Sequence, residues 1–506
     1  MSSYRVMNVI RARNILLNFL GQIIPLIVGI ASMPFVIREL GVEGFGILAL
    51  AWMLLGYFTI FDLGLGRATT KFISEELGKG STDEIVSVFW TSCWMNFFLG
   101  FIGGLIIAGA ASFLAGSVFR ISPGLVQTAE VTFYILAVSC PIVLVSSVFR
   151  GTLEAAQRFD YVNAVAVISS SLSFLLPVVG LLFGLNIYGI VILLMISRLG
   201  SALAYLFLCF RVFPVLREGF TLTIKRMRRL LNFGGWVSVS NLVNPILSYL
   251  DRFIIGSIIS IAAVAYYTAP YEMVTRLSIL PMSFAMTLFP SFSAVNPDIR
   301  ETMASLYSRS VKFLLILMGP IVVVLIFFAR DILSVWLGTQ YAEISTIVLQ
   351  ILAIGIFFNS LAQVPYALIQ GFGRPDITAK FHLFELLLYI PLTFFLVKSL
   401  GIAGGALSWT FRVTFDSFLL FIASGKFIDL RTFLNNKIKQ SISIVVLLAC
   451  IGVVLFFWEL ILFVRVIIII LTLISFVFVS WKLIFDTKDR ELITNAVNHL
   501  VMKKKS

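Results

Sequence analysis

The chain reads as long apolar stretches cut by short polar turns, from one end to the other. A membrane-spanning helix needs about 20 apolar residues. Fourteen stretches meet that need: Ile15–Ile37, Phe45–Leu65, Ile85–Leu114, Ala129–Val148, Val162–Phe183, Ile187–Phe210, Leu230–Ile259, Ile261–Pro290, Val311–Phe328, Ile344–Ile369, Ile377–Val397, Ile402–Ala423, Ser441–Trp458 and Leu460–Phe485. The tightest separations are Gly184–Tyr188 and Trp458–Glu459. The pattern predicts an all-α polytopic membrane protein with about 14 transmembrane helices.

Composition agrees with that pattern. The 506 residues are 59% hydrophobic and 12% charged, with a mean hydropathy of +1.03. A soluble domain carries about 25% charged residues. The net charge of +13 is spread over short loops, so it reads as topology-setting charge and not as a nucleic-acid surface. With both termini placed in the cytoplasm, 29 of the 38 Lys and Arg residues fall on the cytoplasmic side. Five fall outside and four lie within spans. The first apolar run is too long for a signal-peptide core and lacks a small-residue cleavage site, so it reads as an uncleaved first span. The four cysteines, Cys93, Cys140, Cys209 and Cys450, all sit in apolar runs without metal-like spacing and read as small hydrophobes.

The sequence repeats itself at long range. Leu16-Leu17-Asn18-Phe19-Leu20-Gly21 resembles Leu230-Leu231-Asn232-Phe233-Gly234-Gly235, 214 residues on, and Arg38 meets Arg252 at the same offset. Arg158-Phe159-Asp160 resembles Arg374-Pro375-Asp376 at an offset of 216, where Gly189 also meets Gly405. Such an offset carries spans one to six onto spans seven to twelve with unchanged orientation, a parallel repeat about an axis along the membrane normal. The expected organisation is a six-helix lobe over 1–218, a second over 219–432, and a two-helix hairpin with a basic tail over 433–506.

A few charges lie inside these spans, where each costs about 2.5–3.5 kcal/mol unless it faces water or a partner. Arg198 stands alone in span six, with no acid one turn away. It needs a partner from another helix or an anionic ligand. Arg412 and Asp416 are four residues apart in span twelve, and Glu272 and Arg276 in span eight, so each pair shares a helix face. Such a pair either lines a polar path or simply locks helices. Asp251 and Arg252 lie in span seven. Asn14, Asn18 and Gln22 stripe the first span, as Asn241, Pro245 and Ser248 stripe the seventh. These stripes either face one cavity or bind helices together by hydrogen bonds. Lys380, His382 and Glu385 open span eleven, as a gate, a proton site or an interfacial set.

No Gly-Lys-Ser/Thr phosphate loop, His-Glu-x-x-His run or cysteine pair is present, which argues against ATP hydrolysis and a metal site. The longest outward stretch, about Ala115–Thr128, holds one arginine and no acid. A glycosyltransferase or polymerase would want a longer, charged external loop.

Several motifs together resemble the polysaccharide-transporter family, the flippases of O-antigen and exopolysaccharide repeat units. They are Asp62-Leu63-Gly64-Leu65-Gly66-Arg67-Ala68 with Thr70-Lys71-Phe72-Ile73-Ser74-Glu75-Glu76, and Pro34-Phe35-Val36-Ile37-Arg38-Glu39-Leu40-Gly41 through Gly44-Phe45-Gly46. Asp251-Arg252-Phe253-Ile254-Ile255-Gly256 with Tyr266-Tyr267-Thr268-Ala269, and Gly371-Phe372-Gly373-Arg374-Pro375-Asp376, complete the set. The resemblance implies two lobes working by alternating access in a bacterial or archaeal cytoplasmic membrane. It implies a substrate of undecaprenyl phosphate or pyrophosphate bearing an oligosaccharide, moved from the cytoplasmic to the outer leaflet for surface polysaccharide synthesis. Arg198, Arg252, Arg276 and Arg412, with Asn18, Gln22 and Asn241, are the expected substrate contacts. Asp251, Glu272, Asp416, Glu385 and His382 are the candidates for gating or for coupling to a proton or sodium gradient. Membrane lipids, a polysaccharide polymerase and glycosyltransferases are the expected partners, and no cofactor is expected. A cation-coupled drug exporter of the same superfamily is the alternative. Many of those bear an acid inside the first span, and Ile15–Ile37 has none.

Overall fold

A computed structural model of the chain describes residues 2–217, 219, 224–285, 300–428, 438–447, 462–486 and 490. All regular structure among the described residues is helical, and they fall into two compact units. The first comprises Met1–Ile279 with His382–Trp409, and the second Leu280–Phe381 with Thr410–Ser506.

The first unit opens with α1 (Ser2–Tyr57), α2 (Leu65–Lys79), α3 (Thr82–Phe113), α4 (Val126–Ala155), α5 (Phe159–Leu182) and α6 (Ile187–Val212). It continues with α7 (Ile224–Ile258) and α8 (Ile261–Arg276). At 1.5 Å per residue, 56 residues of α1 would far exceed a bilayer core of about 30 Å. Gly41 divides it, at φ 71° and ψ 170°, between predicted spans one and two. α3 packs on α4, α4 on α6, and α1 on both α5 and α8. Where α2, α3, α4 and α6 meet, Phe89 stacks on Phe149 at 5.8 Å, and Trp90 Nε1 donates to the Leu216 carbonyl at 3.1 Å. The opposite face of α3 exposes Phe97, Phe98, Phe101, Ile102, Leu105 and Ile106. An apolar surface of that extent suits acyl chains and not water.

The second unit contains α9 (Arg300–Phe327), α10 (Ala329–Leu337) and α11 (Thr339–Gly371). α12 (Pro375–Ser424) begins and ends in the second unit and belongs to the first over His382–Trp409; it is broken at Gly401 (φ 62°, ψ −140°) between predicted spans eleven and twelve. α13 (Leu462–Val479) follows. Tyr307 on α9 is fully buried and shares a 3.0 Å hydrogen bond with Ser424 on α12. Eight described helical stretches are long and apolar enough to cross a membrane, and two of them carry the breaks at Gly41 and Gly401.

Three local features depart from the apolar pattern. Predicted span eight, Ile261–Pro290, is interrupted at Leu277–Ser278, where the helix tightens into i→i−3 bonds of 3.1 Å. Helix resumes at 279, so Pro281 falls in a first turn, where its missing N–H costs little. α2 and α10 are short amphipathic helices in stretches read only as loops. Each buries one stripe: Leu65, Ala68, Phe72 and Ile73 in α2, Ala329 and Leu333 in α10. Most of predicted span thirteen, Ser441–Trp458, lies outside the described residues, as does Cys450. Cys93, Cys140 and Cys209 are buried and unbridged, and the Cys209 thiol lies 3.2 Å from the Phe149 carbonyl.

Candidate functional site

Inside the first unit, α1, α4, α5, α6, α7 and α8 enclose a cavity of about 690 Å³. That is within the range of ligand pockets, roughly 300–1,000 Å³. Arg198, Arg252 and Arg276 line it together with a single carboxylate, Glu272. Four charges chosen from three different predicted spans therefore meet in one place.

The helices fix how they meet. Glu272 and Arg276 are one turn apart on α8, and Arg276 Nη2 donates to Glu272 Oε2 at 3.0 Å. Arg252 reaches across from α7 and donates Nη2 to Glu272 Oε1 at 3.3 Å. Glu272 is thus clasped by two guanidiniums, one on each oxygen. Arg252 is only 2% exposed. Its guanidinium lies over the Tyr271 ring at 4.3 Å and near Tyr249 at 5.4 Å. Arg276 lies over Phe174 at 4.4 Å. Stacking of this kind suits the weakly hydrated planar guanidinium and holds its edge toward the open space.

Arg198 differs from both. It lines the same cavity from α6, yet among the described residues it has no hydrogen-bond or ion-pair partner. α5 adds the polar side chains of Asn163, Ser170 and Ser173 to the lining, and α1 adds Trp52. Among the described residues, the charged side chains of the lining are three guanidiniums and one carboxylate.

The remaining sequence candidates lie elsewhere. Asp251 is fully buried next to Arg252, where it accepts the Arg252 backbone N–H at 2.7 Å and the Tyr267 hydroxyl. Glu385 is 1% exposed and His382 half-buried, both in the segment of α12 that belongs to the first unit. Arg412 and Asp416 are half-buried on the part of α12 in the second unit. The side chains of Asn18, Gln22 and Asn241 lie outside the described residues. Sequence reasoning missed the ring system of Phe174, Tyr249 and Tyr271. It also missed the α5 face, although a signal was present: Asn163, Ser170 and Ser173 sit on one side of a helix within an apolar run.

The family model described as "Polysaccharide biosynthesis protein" matches residues 11–296, more than half of the chain. The chain belongs to the polysaccharide biosynthesis protein family. A model described as "MatE" also matches this family member over 237–395. A putative O-antigen transporter from Shigella flexneri is 31% identical over 412 residues, covering 81% of this chain and 96% of that protein. A probable low-salt glycan biosynthesis flippase from Haloferax volcanii is 24% identical, over 37% of this chain and 39% of its own length. Among solved structures, the lipid II flippase MurJ in an inward closed conformation superposes with a TM-score of 0.72 at 16% identity. It covers 92% of this chain and 98% of its own. An inward-facing MATE transporter of the MOP superfamily gives 0.69 at 17%, over 80% and 94%. At those identities the likeness is one of fold. This member of the polysaccharide biosynthesis protein family is a multi-pass membrane protein.

Proposed function

We propose that the protein flips an undecaprenyl phosphate- or pyrophosphate-linked oligosaccharide from the cytoplasmic to the outer leaflet by alternating access, for surface polysaccharide synthesis. The observation that carries this reading is Arg198. It is a guanidinium inside an apolar helix, opening on a positive chamber, with no partner among the described residues. A desolvated arginine of that kind suits a phosphate, whose oxygens match its forked donors. Arg252 and Arg276 supply two more guanidiniums, which share the single carboxylate of Glu272. Arg412 is assigned the same role from the second half of the chain, with Asn18, Gln22 and Asn241 as polar contacts to the head group. The relatives support the substrate class by name: an O-antigen transporter and a glycan flippase.

Glu272 is the carboxylate best sited for coupling, because its protonation would free two guanidiniums at once. Asp251, Asp416, Glu385 and His382 are the other candidates for a proton or sodium site. A net positive chamber disfavours the cationic drugs that an exporter of this superfamily would carry. In this reading the basic loops face the cytoplasm of a bacterial or archaeal cell, and both termini lie with them. Glycosyltransferases that build the substrate and a polymerase that uses it would be its functional neighbours.

Translocation of the host's lipid-linked oligosaccharide by the purified protein in proteoliposomes tests the proposal. Arg198→Ala is expected to lower the rate about 10- to 100-fold, the worth of one charge-assisted hydrogen bond. Full activity of that variant, or no translocation by the wild type, would overturn it.

A further inference from the structure

A second cavity, of about 530 Å³, adjoins the arginine chamber within the first unit. The two share Gly56, Val143 and Tyr249 as wall. Gly56 lets the Tyr249 ring pack directly against α1 in that shared wall: a Cβ there would come within 2.2 Å of the ring.

The second cavity has a different chemistry. Asp62 and Glu154 set two carboxylates against the guanidiniums of Arg67 and Arg150, so the lining is electrically balanced. Asp62 is 9% exposed and fixed in place. It accepts the Ser147 hydroxyl at 2.8 Å and the Gly66 N–H at 3.3 Å. Arg150 Nε holds Glu154 Oε1 at 2.8 Å, with the arginine side chain 57% exposed. One pair is rigid, and the other is open to exchange partners.

Such a lining is a poor site for phosphate, because its carboxylates repel the anion. It is a good one for a polyhydroxylated ring, since each sugar hydroxyl both donates and accepts and finds both complements here. Position adds a second argument. In a lipid-linked saccharide the first sugar is bonded directly to a phosphate oxygen, so a sugar subsite must touch the phosphate subsite. This cavity borders the arginine chamber along the wall of Gly56, Val143 and Tyr249.

We infer that the second cavity is the glycan subsite, which holds the phosphate-proximal sugar on the Asp62–Ser147 and Arg150–Glu154 pairs while the phosphate lies among Arg198, Arg252 and Arg276. The inference rests on the flippase reading and adds to it a residue set for sugar recognition. If Asp62–Ser147 only fastened the turn before α2 to α4, and Arg150–Glu154 were only a pair along α4, the presence of a glycan would be irrelevant to them.

Binding to the purified full-length protein separates the cases. The probes are the host's own lipid-linked oligosaccharide, undecaprenyl pyrophosphate without a glycan, and a neutral alkyl glycoside of the same sugar. The wild type is expected to bind the glycosylated lipid at least about tenfold more tightly than the bare one. Glu154→Gln and, independently, Ser147→Ala are each expected to lose about three- to tenfold for the glycosylated lipid, the worth of one hydrogen bond. Loss for the bare lipid is expected to stay under about twofold on the same ground. Melting temperature in detergent checks that each variant is folded. Equal wild-type affinity for the two lipids, or variants that weaken both alike or neither, would overturn the inference. Binding of the neutral glycoside without the bare lipid would instead sink the phosphate reading and leave the sugar subsite standing.

Discussion

The turn over residues 153–160 and the turn over 369–376 are built alike, although they lie 216 residues apart in the sequence. In each, a residue in the left-handed region donates its N–H three residues back: Gln157 to the Glu154 carbonyl at 2.9 Å, and Gly373 to Gln370 at 3.0 Å. The next N–H, from Arg158 or Arg374, reaches five residues back, to Leu153 at 2.9 Å or Ile369 at 3.2 Å. Each arginine then grips the aspartate two residues on through Nε and Nη2: Asp160 at 2.9 and 2.8 Å, and Asp376 at 2.9 and 3.0 Å. This is a helix stop closed by a fork and carboxylate. The charges at a like offset differ. Arg198 and Arg412 are 214 residues apart, yet Arg412 carries Asp416 one turn on where Arg198 carries Ala202. The two turns share one backbone geometry while the two half-buried arginines have different neighbours along their helices.

The strongest test of that divergence removes both cations. Arg198→Ala with Arg412→Ala is expected to abolish surface polysaccharide while the protein persists in the membrane, read by complementation and immunoblotting. Of the single variants, Arg198→Ala is expected to account for most of the loss. Equal losses would mean that the two halves still share the task. A smaller effect is expected from Glu272→Gln, which leaves Arg252 and Arg276 without their shared anion. Stripping a buried charge of its partner costs about 3–5 kcal/mol, so the melting temperature should fall. Added pyrophosphate should raise it again, and by more than in the wild type. The smallest effect sharpens the comparison of the turns. Gln157 holds φ 57° and Gly373 φ 70°, a region that costs a side chain about 1–2 kcal/mol. Gln157→Gly should therefore stabilise by up to about 1 kcal/mol and Gly373→Ala destabilise by about as much. Thermal melts in detergent measure both.

Much of this architecture was legible in the residues. Apolar length marked the helices, and the short turn at Gly184–Tyr188 appears as the join between α5 and α6. The breaks at Gly41 and Gly401 fall where spacing placed them, because a run too long for the bilayer must turn and glycine turns most cheaply. The charges were visible for the same reason: arginine in an apolar run is costly wherever it points. Which charges meet was not legible. That Glu272 binds Arg252 as well as Arg276 depends on how α7 lies against α8, a fact of packing and not of spacing. Nor could hydropathy separate Phe174, which faces the cavity, from Phe97, which faces outward, since both are simply apolar. The amphipathic α2 escaped notice because its polar face broke the run of hydrophobes that was being counted.

The carboxylate between Arg252 and Arg276 also bears on the energetics of resetting. In a carrier that returns empty, whatever charge lines the chamber is displaced within the transmembrane field. Each elementary charge carried through 100 mV is worth about 2.3 kcal/mol. In the proposed cycle the Glu272 carboxylate would offset one of the chamber's three arginines, making the unloaded stroke electrically lighter. An internal anion standing in for cargo would thus spare such a carrier part of the work of coming back for more.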